Sequence, residues 1–189
     1  TEGVILVDGV PIRDYTQEQL REKMGLVSQK AVLFRGSVTD NLTVGATTPP
    51  TKEGLEQAVE LSQSKDFVDK IGLEGEISQG GLNLSGGQKQ RLSIARALFK
   101  KPEIYLFDDC FSALDYKTDR ILRSELQKST GDSTKIMVAQ RISTVKDADK
   151  ILVLDQGELV GIGSHRDLLD TCEVYREIAQ SQLSKEELA

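Results

Sequence analysis

The chain has 189 residues, a length that fits one domain able to bury a sizeable hydrophobic core. Its 24 basic and 30 acidic residues give a net charge of −6, which argues against a nucleic-acid groove as the main surface. No apolar run approaches the roughly 18 residues of a membrane span, so we expect any membrane role to come through a partner segment. Two cysteines, Cys110 and Cys172, form no CxxC pair, and we expect both to be reduced thiols of a cytosolic domain.

The N-terminal residues predict a β-hairpin followed by a short helix. Apolar residues 4–7 and 10–12 flank Asp8-Gly9, a dipeptide suited to a tight two-residue turn. Thr16 and Gln19 then have the spacing of a capping box, which predicts that a helix begins after Thr16.

A strand and a second capped helix are predicted next. Residues 25–28 have the composition of a strand, and Gln29 lies at its end. Ser37 and Asp40 repeat the capping spacing, so we expect another helix to begin there.

The middle of the chain is predicted to be helical. Residues 47–50 form a turn, and the polar segment 51–71 has the little β-branching that is typical of a helix. The stretch 88–100 carries apolar residues at helical spacing, which predicts one buried face. Those residues are Leu92, Ala95, Leu98 and Phe99.

Three unbroken apolar runs, 104–107, 135–139 and 150–154, predict strands in the second half of the chain. Such runs, separated by helical segments, suit a parallel sheet covered on both faces. A turn at 156–157 then leads into the apolar segment 159–162.

The C-terminal residues predict a helical tail from about Ser164, ending in a charged and frayed stretch at 184–187. His165, the single histidine, lies beside this helix start, and we interpret it as structural.

A glycine-rich loop precedes the helix predicted at 88–100. Its letters are LSGGQ: Leu84, Ser85, Gly86, Gly87 and Gln88. Glycines let the backbone approach a phosphate closely because no Cβ intervenes. A helix that starts at about Gly86 would direct its free N–H groups and positive dipole end at that phosphate. The strand at 104–107 then delivers Asp108, whose carboxylate suits Mg²⁺ bound beside phosphate.

This arrangement resembles the ATP-binding cassette (ABC) ATPase family, in which LSGGQ is the signature and the strand before Asp108 is Walker B. The resemblance covers essentially the whole chain and implies ATP and Mg²⁺ as cofactors. It implies an α/β fold of the P-loop NTPase type: a mostly parallel sheet, an N-terminal antiparallel hairpin and an inserted α-helical subdomain. Residues 1–189 would form one cassette, with the helical subdomain at about 40–100.

Further positions match the family's motifs. Gln29 resembles the Q-loop glutamine, whose amide oxygen reaches Mg²⁺ or its water; the alternative is an exposed glutamine at a strand end. Segment 33–42 is similar to the exporter branch, where it faces the coupling helices of a transmembrane domain. Ser112 to Asp115 is similar to the D-loop, which crosses between two cassettes, although Ser112 alone could equally be a turn-forming hydroxyl. Asp108 matches the Walker B aspartate; its alternative is a solvated acid, and the apolar run before it favours a bound cation.

Two positions depart from the family's pattern. Active members have a glutamate after the Walker B aspartate to orient or deprotonate the attacking water, whereas this chain has Asp109, one methylene shorter. The family's switch histidine is replaced by Gln140, a neutral amide that cannot carry the imidazole's charge. Both changes in one site predict a degenerate nucleotide site.

The intact signature then predicts an unequal partner. In this family each nucleotide lies between one cassette's Walker motifs and the other's signature. We therefore expect this chain to hold a weak site of its own and to complete the competent site of a non-identical second cassette. That pattern resembles heterodimeric bacterial multidrug exporters and implies a place at the cytoplasmic face of the cell membrane.

Two other functions remain open at this stage. A cassette that never hydrolyses ATP and only clamps a dimer would also fit Asp109 and Gln140. A chromosome-maintenance or DNA-repair ATPase shares the signature, but that family inserts long heptad-bearing coiled coils, and the acidic charge also counts against it.

The sequence contains no Gly-Lys-Ser/Thr of the Walker A type, which cradles the β- and γ-phosphates. In the family this motif lies just upstream of the hairpin with which the chain begins. We accordingly expect the chain to be the C-terminal part of a longer half-transporter.

Overall fold

The computed structural model describes residues 2–184, so part of the predicted frayed tail, 185–187, lies outside the described residues. The described chain forms two compact units, the first ending at Ile136 and the second beginning at Met137. The strands are β1 (Leu6–Val7), β2 (Val10–Pro11), β3 (Met24–Val27), β4 (Gly36–Ser37), β5 (Glu76–Ile77), β6 (Ile104–Asp108), β7 (Thr134–Val138), β8 (Ile151–Asp155) and β9 (Glu158–Gly163). The helices are α1 (Gln17–Lys23), α2 (Val38–Thr43), α3 (Lys52–Leu61), α4 (Lys65–Ile71), α5 (Gly86–Lys100), α6 (Tyr116–Ser129), α7 (Ile142–Val145), α8 (His165–Thr171) and α9 (Glu173–Gln182).

The predicted hairpin and both capped helices are confirmed. β1 pairs antiparallel with β2, and Asp8 (φ 52°) and Gly9 (φ 79°) form the turn with the left-handed geometry that suits it. Thr16 caps α1 and Ser37 caps α2, each in a reciprocal capping box.

A parallel strand pair forms the centre of the first unit and positions the site. β3 pairs parallel with β6, from Met24 opposite Ile104 to Val27 opposite Phe107, in a sheet of order β3-β6-β7. Because parallel strands end at the same edge, the residues that follow Val27 and Phe107 lie near each other. The predicted α/β class with a parallel sheet and antiparallel hairpins is confirmed.

The segment predicted to be helical at 51–71 forms two helices, α3 and α4. Gln63 between them has the left-handed φ of 59°, which a continuous helix does not allow. The buried hydroxyls of Ser62 and Ser64 hydrogen-bond each other at 2.8 Å, and Ser62 also donates to the Val59 carbonyl. These short-range polar bonds compete with helical ones and end α3.

Helix α5 begins at Gly86, as the sequence predicts, and its apolar stripe is buried. Leu92, Ala95, Leu98 and Phe99 are between 0% and 8% exposed. Its neighbours include α2, α3 and β3, so α5 carries the signature loop from a firmly packed base.

In the second unit, β8 pairs antiparallel with β9, with Leu152 opposite Ile162. The prediction that 150–154 belongs to a parallel sheet is therefore wrong for the described residues. The turn at Gln156 (φ 48°) and Gly157 (φ 85°) reverses the chain directly, so the nearest partner for β8 is the next strand.

The helical tail of the second unit is two helices, α8 and α9, divided at Cys172. They pack on one face of the β8–β9 hairpin and bury a cluster of apolar side chains. The cluster contains Ile142, Ile151, Val153, Leu168, Cys172, Tyr175 and Ala179.

The strands are not covered on both faces, which corrects a second expectation. In the first unit Leu26 is 64% exposed, and in the second unit Leu152 and Leu154 are 58% and 69% exposed. Across residues 2–184, no helix combines the length and apolarity that crossing a membrane requires.

Candidate functional site

Gln29 and Asp109 meet at the edge where β3 and β6 end. The Gln29 amide nitrogen Nε2 donates to Asp109 Oδ2 at 3.2 Å. Asp109 is only 8% exposed and has a left-handed φ of 42°, a strained backbone for an aspartate. The Ser112 hydroxyl donates to the Asp109 carbonyl at 2.8 Å and so supports this turn.

Asp108, by contrast, is exposed at the end of β6, although Phe107 before it is buried. The sequence argument that partial burial of this carboxylate calls for a cation is therefore wrong, because water can solvate it. Its oxygens are still of the kind that Mg²⁺ prefers, and the Gln29 amide oxygen is a second such group, since its nitrogen faces Asp109. Within the described part of the chain, no cluster of three His, Cys, Asp or Glu side chains could hold a metal ion. A cation here would depend on oxygens from phosphate.

The signature loop ends in a capping box that fixes the start of α5. The Gln88 backbone N–H donates to Ser85 Oγ at 3.3 Å, and the Ser85 N–H donates to Gln88 Oε1 at 2.9 Å. The Leu84 N–H donates to the Gly81 carbonyl at 2.9 Å. These bonds hold the loop in one conformation while Ser85 and Gly86 stay exposed.

Gly86 has open space where a side chain would lie. A Cβ built on it would meet nothing within 4 Å, whereas one on Gly87 would lie 3.5 Å from the Ala113 carbonyl oxygen. Within the described chain, therefore, no group occupies the space beside Gly86.

The predicted D-loop packs against this helix start through Ala113. Asp115 at its end is the N-cap of α6, and it accepts bonds from the Thr118 hydroxyl (2.7 Å) and N–H (3.0 Å). Those bonds lower the pKa of the Asp115 carboxyl, the hydroxyl bond most, so it is held ionised. Asp115 thus has a structural role as the N-cap of α6, in addition to any contact with a nucleotide.

Gln140 belongs to the second unit and its side chain is exposed. Its carbonyl accepts a bond from Gln182 Nε2 at 2.9 Å, and Gln182 Oε1 accepts the Ile142 N–H at 2.8 Å. A single amide on α9 therefore fixes the backbone on both sides of Arg141.

The structure gives individual roles to three residues: Asn41, which the sequence interpretation named only within segment 33–42, and Gln90 and Arg96, which it missed. Asn41 is 1% exposed and bonds both backbone groups of Phe34 at 2.9 Å. Arg96 donates to the Asn41 carbonyl at 2.8 Å and to the Val32 carbonyl at 3.0 Å, with its guanidinium 5.6 Å from the Phe34 ring centre. Gln90 lies four residues before Ile94 and is therefore a polar residue on the apolar stripe of α5. This position in the sequence could have indicated a specific role for Gln90.

The other titratable candidates are structural. His165 Nδ1 lies 2.7 Å from the Tyr175 hydroxyl, and burial lowers the pKa of this imidazole. Cys110 and Cys172 are free and buried, as expected of reduced thiols, and burial raises the pKa of Cys110 to about 12.

Comparison with known proteins shows one consistent likeness. Residues 1–112 match the family model described as ABC transporter. The chain is 45% identical over 184 residues to an uncharacterized ABC transporter ATP-binding protein of Mycobacterium tuberculosis, covering 96% of this chain and 32% of that protein. It is 38% identical over 186 residues to an ATP-dependent lipid A-core flippase of Hahella chejuensis, covering 97% of this chain and 32% of the flippase.

A solved structure agrees with the sequence relatives. The structure of a bacterial Atm1-family ABC exporter with ATP bound superimposes with a TM-score of 0.91 at 39% identity, covering 97% of this chain and 33% of the exporter. The chain therefore spans about a third of the length of these proteins.

Proposed function

Because the chain belongs to the ABC transporter family, we propose that it is the ATP-binding, ATP-hydrolysing cassette of an exporter. In this proposal residues 1–189 act as one cassette, with a helical subdomain at about 40–100. The cassette works at the cytoplasmic face of the membrane, against a second cassette and the coupling helices of a transmembrane domain. The flippase relative and the multidrug-exporter resemblance favour a lipid-like or drug-like small molecule as cargo.

The observation that carries the proposal is the open space at Gly86. A capped helix start, with glycine at a place that none of residues 2–184 fills, fits a phosphate approaching from a partner cassette. Leu84 to Gln88 then complete the nucleotide site of that partner. Asp115 supports the same face through the cap of α6.

The chain's own site is proposed to be the weaker one. Asp108 and the Gln29 amide oxygen would hold Mg²⁺, which would neutralise charge on the phosphates of ATP. Asp109 would orient the attacking water, but it is one methylene shorter than glutamate and accepts a bond from Gln29. Gln140 would contact the γ-phosphate as a neutral amide. The unequal strengths of the two sites favour a non-identical partner cassette.

The bond between Gln29 and Asp109 also favours a second function. If the Asp109–Gln29 bond persists with ATP bound, the carboxylate is not available to water, and the cassette would clamp ATP without hydrolysing it. The chain would then be a regulatory subunit whose signature still serves catalysis in the partner.

Substitution at Gly86 tests the proposal. In the chain, Gly86→Ala should raise the free energy of unfolding by up to about 1 kcal/mol, because alanine favours the helix and nothing obstructs its Cβ. In the assembled transporter the same change should lower ATP turnover by about tenfold or more, because the Cβ obstructs the partner-bound phosphate. Gly86→Asp, which adds a negative charge, should nearly abolish turnover.

Asp109→Asn is the matched comparison, since it alters the weak site and leaves the signature intact. It should cost much less turnover than Gly86→Asp in a steady-state ATPase assay. A larger loss in Asp109→Asn than in Gly86→Asp would refute the degenerate-site assignment. Unchanged turnover in both Gly86 variants would refute the role of the signature.

A further inference from the structure

Gln90 links the signature helix to the loop that carries Gln29. Its side chain is 2% exposed, and its Nε2 donates to the Ser28 carbonyl at 3.0 Å across 62 positions of sequence. Gln90 lies one turn into α5 from the Ser85 cap, so it moves with the start of that helix.

The bond made by Gln90 falls next to the bond made by Gln29. Ser28 immediately precedes Gln29, whose amide donates to Asp109 Oδ2 at 3.2 Å. The Ser28 hydroxyl donates to the Lys30 carbonyl at 2.9 Å, which closes the loop around Gln29. Two amides therefore connect α5 to Asp109 through a single residue of backbone.

An amide at position 90 is not what packing alone would select. Its neighbours on the same stripe of α5, Ile94 and Ala97, are apolar and at most 4% exposed. A buried amide needs its hydrogen bond to offset the loss of contact with water, whereas an apolar side chain of the same size needs none. The amide of Gln90 is therefore explained by its bond to the Ser28 carbonyl, and this bond fixes the position of the loop at residues 28–30.

We propose that Gln90 is a positioning residue that holds Gln29 on Asp109 and so ties this chain's own nucleotide site to its signature helix. The proposal rests on the proposed function, and it adds a route between the two sites. When a phosphate in the partner's site fixes the start of α5, Gln90 fixes Ser28, and Gln29 is held against the carboxylate. When α5 shifts, the same bond moves Gln29 away from the Asp109 carboxylate.

The first experiment measures the loop itself in the assembled transporter. A nitroxide spin label at Lys30→Cys reports the motion of this exposed position, and Cys110 and Cys172 are too buried to compete for the label. Gln90→Met keeps the side-chain size but removes the donor, so the label's rotational correlation time should shorten by about twofold or more. Gln63→Met is the control, because the Gln63 side chain also donates to a backbone carbonyl, but to that of Glu60, three positions away, at 3.1 Å. It should leave the spectrum unchanged.

The second experiment measures hydrolysis at this chain's own site, in a complex whose partner site is disabled. Gln90→Met should raise or lower turnover by about fivefold, which corresponds to the free energy of one buried hydrogen bond. It should leave KM within about twofold. In a Gln29→Ala background, Gln90→Met should have no further effect, because it acts through Gln29.

An unchanged label spectrum in Gln90→Met, or equal effects of Gln90→Met in the wild-type and Gln29→Ala backgrounds, would overturn the proposal. Equal effects would mean that Gln90 only stabilises the fold. Failure of the unmodified complex to hydrolyse ATP would instead refute the proposed function, and the label spectra would still decide whether Gln90 positions the loop.

Discussion

The side-chain amide of Gln29 donates to the carboxylate of Asp109 across 3.2 Å, although 80 positions of sequence separate them. The parallel register of β3 and β6 explains the meeting, because Val27 lies opposite Phe107 and both strands end at one edge. The amide fixes the rotamer of a carboxylate whose backbone is already constrained by its left-handed φ. The Asp109 carboxylate can therefore point only in the direction that its bond with Gln29 allows.

Restoring the family's residues should strengthen the nucleotide site that we propose for this chain. Asp109→Glu extends the carboxylate by one methylene toward water, and Gln140→His supplies an imidazole for the γ-phosphate. The double variant should raise hydrolysis at this site by about tenfold or more, and by more than the two single gains combined, because one group positions the water and the other the phosphate. Single-site turnover in a complex with a disabled partner site measures this. No gain in the double variant would place the defect elsewhere.

A close contact in the second unit should make Gly161 sensitive to any side chain. A Cβ at Gly161 would lie 2.8 Å from Cys172 Sγ and 3.0 Å from Leu168 Cδ2. Gly161→Ala should therefore lower the free energy of unfolding by about 1–3 kcal/mol, as overpacking does. Adding Cys172→Ala should recover part of the loss, with a coupling of about 1 kcal/mol. Urea denaturation of the two single variants and the double variant tests this, and additive losses would exclude the steric cause.

The capping box of α2 should make stability depend on pH. The Ser37 N–H donates to Asp40 Oδ2 at 2.7 Å, and this bond, followed by the contact with the Ser37 hydroxyl, lowers the pKa of Asp40 in the folded state. A lowered folded pKa means stability that is present above the unfolded pKa of about 3.9 and lost as the pH falls through the folded one. Asp40→Asn should thus be less stable than wild type at about pH 7, with the difference shrinking between about pH 5 and pH 2.

A difference for Asp40→Asn that persists at low pH would show that the charge of Asp40 does not contribute to the cap.

Local signals in the sequence predicted local structure well. The Asp8-Gly9 turn, the caps at Thr16 and Ser37 and the start of α5 at Gly86 each depend on residues within a few positions of one another, and each is found in the structure.

Features that depend on distant or subtle contacts were missed. The break at Gln63 comes from buried serine hydroxyls, and the pairing of β8 with β9 comes from competition between possible strand partners. The sequence identified Gln29 and Asp109 separately through the family resemblance. Their bond needed the register of two strands, and the part played by Gln90 needed the burial of its amide.

The fit between Gly161 and Cys172 has an evolutionary consequence. The glycine leaves room for the sulfur and for Leu168, so neither position can accept a larger residue while the other stays as it is. Substitutions at 161 and 172 should therefore arise as pairs in diverging lineages. A larger residue at 161, on β9, should accompany a smaller residue at 172, between α8 and α9. The two positions would change together because of their steric contact, independently of nucleotide binding.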